Sequence, residues 1–261
     1  MKVFVFASGS GGNCLLVSDK GTNILIDAGI SMRRIENCLS QSKISMDDIT
    51  GVLITHEHSD HISALKTMTK KHKPPIYAPH TVASRIAGML PETEGRIEAI
   101  QAGKAFRLKS ISVMAFHTSH DTDESVGYRL EGDGTFSIAT DTGCVTEEIE
   151  AGLSRADAVL VESNHDEDML RYGPYPVYLK RRILSERGHL SNEECAALAK
   201  RLALNGTGKI ILGHLSKINN TPEKALAAAR KTLSGTVAEL FCAPELGLLE
   251  ISLGEDALCL L

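Results

Sequence analysis

His56-Glu57-His58-Ser59-Asp60-His61 is the stretch on which the reading of this chain turns. It follows a short apolar run, Gly51-Val52-Leu53-Ile54, that predicts a buried strand ending at Thr55. Three histidines and an aspartate within six residues serve no packing purpose. Imidazole and carboxylate are the donors that first-row metal ions take. In extended backbone, residues i and i+2 point the same way, so His56 and His58 can close on one ion. Residues 62–71 predict an amphipathic helix, with Asp60 placed to cap it. The turn into that helix would carry Asp60 and His61 away from the first ion and toward a second. One strand-to-helix junction then supplies half of a dinuclear site.

The pattern His56-x-His58-x-Asp60-His61 resembles the signature of the metallo-β-lactamase-fold hydrolases. The resemblance implies further site residues in a fixed order, and each has a counterpart here. Asp27 ends an early strand in Ile24-Leu25-Ile26-Asp27-Ala28-Gly29. A histidine follows a later strand in Phe116-His117-Thr118-Ser119-His120-Asp121. Asp141, the implied bridging ligand, follows Phe136-Ser137-Ile138-Ala139-Thr140, and His214 ends Ile210-Ile211-Leu212-Gly213. The implied assignment is His56, His58, His120 and Asp141 on one ion, and Asp60, His61, Asp141 and His214 on the other. The implied fold is α/β, a four-layer αββα sandwich.

Each residue also has a plainer reading. Asp27 in Asp-Ala-Gly suits a turn; a buried carboxylate partner to a metal-binding histidine suits it better. His117 and His120 compete for one position. His120 is preferred because it stands several residues past the strand 111–116 and beside Asp121, leaving His117 as a partly buried structural histidine. Asp141 could merely open a Thr-Asp-Thr-Gly turn. His72 and His80 lie in polar surroundings and are read as solvated.

Composition bounds the rest. A chain of 261 residues, 43% hydrophobic, can bury a full core as one large domain or two small ones. A single domain over 1–261 is the expectation. No run approaches the length of a membrane span. The apolar residues 3–7 are too short for a signal peptide and read as a first strand. The six cysteines (Cys14, Cys38, Cys144, Cys195, Cys242, Cys259) show no C-x-x-C spacing. That suits a reduced cytoplasm and argues against a disulfide scaffold or a thiolate zinc site. Secreted lactam-hydrolysing relatives use a cysteine near the second metal; no cysteine occupies a ligand motif here. A net charge of −5 gives no global nucleic-acid signal, so such binding would need local basic patches. Lys180, Arg181, Arg182 and Arg187 form one candidate and Lys70, Lys71 and Lys73 another. Either could position a phosphate backbone or be a solvated charged face. Aromatic residues are only 4% and Trp is absent, which argues against broad base stacking.

Strands are expected near 3–6, 14–17 and 23–26, then helices alternating with strands to residue 79. A strand-rich stretch runs over 97–138. A second strand–helix set has strands at 158–161 and 209–212 and helices near 178–186, 192–204 and 222–233. Strands at 237–241 and 248–253 close the chain. Strands in two groups, each with helices beside it, fit the sandwich.

The second half carries the substrate signal. Glu162-Ser163-Asn164-His165-Asp166 follows a strand. Gly188-His189-Leu190-Ser191-Asn192 precedes a helix that Ser191 or Asn192 can cap. Gly213-His214-Leu215-Ser216 follows. This order resembles the phosphodiesterase branch of the fold: the tRNA 3′-processing nucleases, and the ribonuclease J and β-CASP nucleases. There the resemblance implies that His189 touches the scissile phosphate and Glu162 holds His189. The chain has no room for an inserted β-CASP domain. It is most similar to the smaller YycJ/WalJ group of single-domain exonucleases, through residues 7–13, 55–61, 162–166 and Lys180-Arg181-Arg182-Ile183-Leu184-Ser185. That resemblance implies trimming of double-stranded DNA from a 5′ end. Nothing in the spacing itself distinguishes DNA from RNA.

The chemistry agrees. Two divalent ions bridged by Asp141 can generate hydroxide at neutral pH and hold phosphoryl oxygens for in-line attack. Zinc, manganese or iron suits ligation by nitrogen and oxygen alone. The candidate catalytic residues are Asp60, Glu162 and His189: His189 donates to charge building on phosphate, and Glu162 favours its protonated form. Glu162→Gln should be intermediate in effect, since an amide still orients an imidazole. His165 is either another phosphate or metal contact, or a structural histidine. Ser8-Gly9-Ser10-Gly11-Gly12-Asn13 completes no nucleotide-binding fingerprint. It reads as a tight strand-connecting loop beside the metal cleft, its amides within possible reach of phosphate. Hydrolysis of small cyclic or linear phosphodiesters is the alternative enzyme. A thioester or lactam hydrolase leaves Glu162 and His189 idle, and the intact ligand set argues against a non-catalytic metal-binding scaffold.

Overall fold

The computed structural model describes residues 1–254, so Cys259 lies outside the described residues. The strands are β1 (Lys2–Ala7), β2 (Cys14–Asp19), β3 (Thr22–Ile26), β4 (Ile49–Leu53), β5 (Ile76–Pro79), β6 (Ile97–Ile100), β7 (Phe106–Leu108), β8 (Ile111–His117), β9 (Val126–Gly132), β10 (Gly134–Ala139), β11 (Ala158–Glu162), β12 (Lys209–Gly213), β13 (Glu239–Cys242) and β14 (Leu249–Ser252). The helices are α1 (Met32–Gln41), α2 (Ser59–Ile62), α3 (Leu65–Lys71), α4 (His80–Met89), α5 (Glu147–Leu153), α6 (Glu167–Tyr172), α7 (Val177–Ile183), α8 (Asn192–Leu204) and α9 (Pro222–Leu233). They build two seven-stranded sheets, ordered β14-β1-β2-β3-β4-β5-β6 and β13-β12-β11-β10-β9-β8-β7.

The described chain divides into two compact units. One holds Met1–Ala115, Leu130–Thr135 and the residues from Pro244 on; the other holds Phe116–Arg129 and Phe136–Ala243.

In the first unit, β1 is buried at every position from Val3 to Ala7. A strand covered on both faces loses the usual apolar–polar alternation. β2 and β3 form a hairpin through Lys20 and Gly21, both at positive φ. That is the turn geometry that matches strand twist. From β3 to β6 the strands run parallel, and parallel neighbours need crossovers. α1 shows why these helices stay on the sheet. Its Met32, Ile35 and Leu39 are spaced to fall on one buried stripe. They join Phe4, Leu16, Leu25, Met68 and Val82 in one core.

In the second unit, β10 to β13 are parallel. α5, α8 and α9 cover them through a core that includes Leu153, Val159, Leu198, Leu202, Ile210 and Leu233. α8 starts where expected because Ser191 and Glu194 form a reciprocal capping box. Thr221 caps α9, with Pro222 at its first position.

Several expectations need correction. The helix expected over 62–71 is two pieces, α2 and α3. The Ala64 N–H leaves the helical ladder to donate to Ala28 O at 2.8 Å, and Ser63 Oγ donates to Gly29 O at 2.7 Å. Tertiary anchoring overrides the local pattern there. Asp60 does not cap that helix. α2 begins at Ser59 with His58 in the cap position, and Asp60 lies inside the first turn. α7 ends at Ile183, earlier than expected, because the chain folds back: Gly188 N donates to Ser185 O at 2.8 Å and His189 N to Ile183 O at 3.0 Å. α6 was not anticipated; its signal is Asp166, which accepts from Met169 N at 2.8 Å as the cap.

Candidate active site

The site residues fall into two clusters, one in each unit. In the first unit they cluster where β3 and β4 end. Asp27 follows β3 directly and sits at φ 59°, in the left-handed region. Few non-glycine residues adopt it, aspartate and histidine more readily than most. The strand end therefore turns sharply and aims a buried carboxylate back at β4. Asp27 Oδ1 accepts Thr55 N at 2.9 Å, and Asp27 Oδ2 lies 2.8 Å from His61 Nδ1. A carboxylate at Nδ1 fixes the tautomer and leaves Nε2 as the reactive nitrogen. The expected role of Asp27 as carboxylate partner is met.

Thr55 was not singled out from sequence, yet its Oγ1 lies 3.1 Å from His56 Nδ1 and 3.1 Å from His61 Nδ1. His56 Nε2 and His58 Nδ1 are 3.1 Å apart. Two tetrahedral ligands at metal–nitrogen distances of ~2.0–2.1 Å would sit about 3.3 Å apart, so the pair fits a shared ion. The ring centroids of His56 and His61 are 4.0 Å apart, so the turn after Ser59 does not carry His61 far from His56.

The glycine-rich loop 8–13 is a tight connection between β1 and β2, as expected. Several of its amides are occupied within the protein: Gly9 N donates to Asn13 Oδ1 at 2.9 Å, Gly12 N to Gly9 O at 2.9 Å and Asn13 N to Asp60 O at 2.8 Å. Asn13 Nδ2 lies 3.1 Å from His61 Nε2. The loop thus props the Asp60–His61 turn. Gly29 packs against the same turn so closely that a Cβ there would lie 1.6 Å from Asp60 O. Only glycine fits.

In the second unit, His120, Asp141, Glu162, His189 and His214 come together. His214 follows β12 directly and Asp141 follows β10 one residue later, after Thr140; both repeat the left-handed turn of Asp27, at φ 55° and 54°. Asp141 Oδ1 lies 3.7 Å from His120 Nε2 and 3.5 Å from His214 Nε2. These separations are long for hydrogen bonds, and each suits two ligands that share an ion. Asp141, Glu162, His189 and His214 offer donor atoms all within 4.8 Å of one another.

Glu162, at the end of β11 and fully buried, organises this cluster. Its Oε1 lies 2.8 Å from His189 Nδ1 and 2.6 Å from His214 Nδ1. Its Oε2 accepts Thr142 N at 2.9 Å and Leu190 N at 3.3 Å. One carboxylate therefore holds two imidazoles and two loop backbones. Burial alone would lower the pKa of His189, but the Glu162 charge and hydrogen bond outweigh it and the net shift is upward. Burial likewise pushes Glu162 up; the two histidines reverse it and hold the carboxyl well below its ordinary range.

His120 Nδ1 faces Gly188 O at 3.3 Å, leaving Nε2 toward Asp141. Burial lowers its pKa and favours the neutral ring a metal needs. His117 is not partly buried, as expected; its side chain is 54% exposed and pairs with Glu148 at 3.0 Å. His80 is exposed, whereas His72 is half-buried against Glu36. His165 is buried, with neither ring nitrogen hydrogen-bonded among the described residues, and burial lowers its pKa.

The basic runs have structural duties. Arg187 Nε donates to His120 O at 2.8 Å, and Arg182 pairs with Asp121. Lys70 pairs with Glu92 and Lys71 with Glu36. Arg187 was read only as part of a charge run; holding the His120 backbone is a job that spacing does not reveal.

Residues 22–215 match the family model of the β-lactamase superfamily domain. The chain is 36% identical over 233 residues to Exodeoxyribonuclease YycJ of Bacillus anthracis, covering 88% of each. It is 37% identical over 230 residues to Exodeoxyribonuclease WalJ of Streptococcus pneumoniae, covering 86% of this chain and 85% of that protein. The crystal structure of the metallo-β-lactamase fold protein YhfI from Bacillus subtilis superposes with a TM-score of 0.74 at 18% identity, covering 96% of this chain and 98% of the other. These findings uphold the α/β metallo-β-lactamase-type fold and the likeness to the YycJ/WalJ group. The chain therefore belongs to the β-lactamase superfamily and is a metal-dependent hydrolase.

Proposed function

We propose that the chain is a dinuclear phosphodiesterase acting on nucleic acid, DNA foremost, and working as one hydrolase domain. The observation that carries this reading is the Glu162–His189 pair, 2.8 Å apart. Glu162 also holds His214, but a hydrolase of thioesters or lactams gives His189 no task, whereas a phosphodiester does. The similarity to proteins named exodeoxyribonucleases, over more than four-fifths of both chains, supports the same substrate class. Digestion of duplex DNA from a 5′ end is the finer form of the proposal.

His56, His58, His120 and Asp141 would hold one ion; Asp60, His61, Asp141 and His214 would hold the other. Zinc, manganese or iron fits this set. When bound, such ions lower the pKa of water and neutralise phosphoryl oxygens. The chain's own residues do the rest. The acceptors at Nδ1 of His120 and His214 leave Nε2 of each ring as the ligating atom; His61, held at Nδ1 by Asp27, would exchange the Asn13 contact at Nε2 for the ion. His189, with Nδ1 committed to Glu162, keeps Nε2 for the substrate and in its protonated form donates a hydrogen bond to a non-bridging phosphate oxygen. No described helix is long and apolar enough to cross a membrane, and the cysteine pattern supports a cytoplasmic location.

Elemental analysis should find about two ions per chain, as a bridged site requires. His58→Ala should lose metal. His189→Ala should keep metal and lose turnover by roughly 10²–10³-fold, the usual cost of one donor to a developing oxyanion. Full activity in metal-free protein, or wild-type turnover in His189→Ala, would overturn the proposal.

A further inference from the structure

The segment from α6 through α7 to His189 carries a surface that the hydrolytic site does not explain. Tyr172 is 80% exposed, Tyr178 75%, Val177 64% and Leu184 59%. Exposed apolar groups gathered in one place mark interaction sites more often than chance placement. The inward side of the segment is already satisfied, since Leu170 and Ile183 are buried. Three of the chain's five tyrosines, Tyr172, Tyr175 and Tyr178, lie within this one stretch. Low aromatic content holds for the chain as a whole and fails here.

Charge selects the partner. Residues 171–189 contain Arg171, Lys180, Arg181, Arg182 and Arg187 against Glu186; Arg171 pairs with Glu167 and Arg182 with Asp121, so Lys180, Arg181 and Arg187 carry the excess. Lys180 Nζ donates to Arg171 O at 2.9 Å and to Gly173 O at 2.8 Å, which ties α7 to the end of α6. Backbone carbonyls of this kind leave its positive charge in place. On α7, Arg181 lies one turn on from both Val177 and Tyr178, and Leu184 stands at the helix's C-terminal cap. A second copy of the chain would oppose like charges across such a patch; a polyanion with flat apolar groups matches it. Continuity with the site is direct, since His189 N donates to Ile183 O at 3.0 Å.

We propose that this surface binds unpaired nucleotides of the nucleic-acid substrate, with Tyr172 and Tyr178 stacking on bases and Arg181 meeting the phosphate backbone. Bases inside a duplex have both faces covered, so a tyrosine platform takes an overhang or a frayed end. The inference rests on the nucleic-acid reading above and deepens it.

The test compares wild type, Y172A/Y178A and Y172F/Y178F. Fluorescence anisotropy gives the Kd for a fluorescein-labelled DNA duplex with a single-stranded overhang. Turnover of the same DNA and of bis(p-nitrophenyl) phosphate is measured alongside. Stacking of one base is worth about 5- to 150-fold in affinity. The alanine pair should raise Kd by that order and lower DNA turnover relative to the small diester. The phenylalanine pair, which keeps the ring, should stay near wild type. Equal Kd for wild type and the alanine pair would overturn the inference and leave the phosphodiesterase reading standing. An alanine pair that binds DNA normally while a wild-type dimer becomes monomeric would also overturn it. Tyrosine-dependent binding without hydrolysis of either compound would uphold the inference and sink the phosphodiesterase reading.

Discussion

Glu162→Gln is the most informative single substitution. The sequence alone leads one to expect an intermediate effect, because an amide can still orient an imidazole but cannot favour its charged form. The structure requires a severe one. Four donors converge on the carboxylate: His189 Nδ1 and His214 Nδ1 on one oxygen, Thr142 N and Leu190 N on the other. Glutamine offers one oxygen and one NH2. With the amide oxygen toward the histidines, the Thr142 and Leu190 amides lose their acceptor and face another donor; with the NH2 toward them, both rings must give up the Nδ1–H tautomer, which puts a proton on the His214 Nε2 that would ligate metal. Each unsatisfied group costs about 1–3 kcal/mol, so the pair costs about 2–6 kcal/mol. That is a large part of the ~5–15 kcal/mol that holds a typical domain folded. Urea unfolding followed by circular dichroism should show the loss, and elemental analysis should show reduced metal where the proton moves to His214 Nε2. The variant should be more damaging overall than His189→Ala. A Glu162→Gln protein that unfolds within ~1 kcal/mol of wild type, with full metal content, would refute the four-donor account.

Other substitutions probe the supports. Gly29→Ala places a Cβ 1.6 Å from Asp60 O, so the α2 turn must move; metal content and melting temperature should both fall, and wild-type values would contradict the close packing. Asn220→Ala removes the Nδ2 that donates to Ser163 O at 2.8 Å, stranding that buried carbonyl beside Glu162, and the Oδ1 that accepts Asn192 Nδ2 and Thr221 N at 2.9 Å each; Asn164 O keeps its bond from Ser216 N. A loss of about 2–4 kcal/mol in urea unfolding is expected. Asp166 is a third probe. Burial raises its pKa, but the Lys224 bond and the Met169 amide outweigh this and the net shift is down. A depressed carboxyl stabilises the fold above its unfolded pKa of about 3.9, and that contribution is lost as pH falls through the folded value. Asp166→Asn keeps the cap but not the ion pair. Its urea midpoint should fall less than that of wild type between pH 6 and pH 2.5; parallel curves would show that the pair contributes nothing.

What the sequence determined was chemistry and order. Histidines and aspartates at short fixed spacings have few uses other than metal binding, so His56, His58, Asp60 and His61 were legible as a group. The ends of apolar runs located Asp27, Asp141 and His214. Buried strands and capped helices are local signals, so the helices 192–204 and 222–233 were read to the residue. Tertiary structure decided what spacing cannot carry. Glu162 holding His189 and His214, which lie 27 and 52 residues away in sequence, depends on parallel strands ending side by side. The break between α2 and α3 comes from Ala28 and Gly29, which compete for the helix's own hydrogen bonds. The left-handed turns at Asp27, Asp141 and His214 are paid for by the contacts they create, and the modest preference of aspartate and histidine for that region is too weak to announce them. Exposure was equally hidden. His117 and His120 are three residues apart with the same side chain, and only the path of the backbone after β8 turns one outward and buries the other.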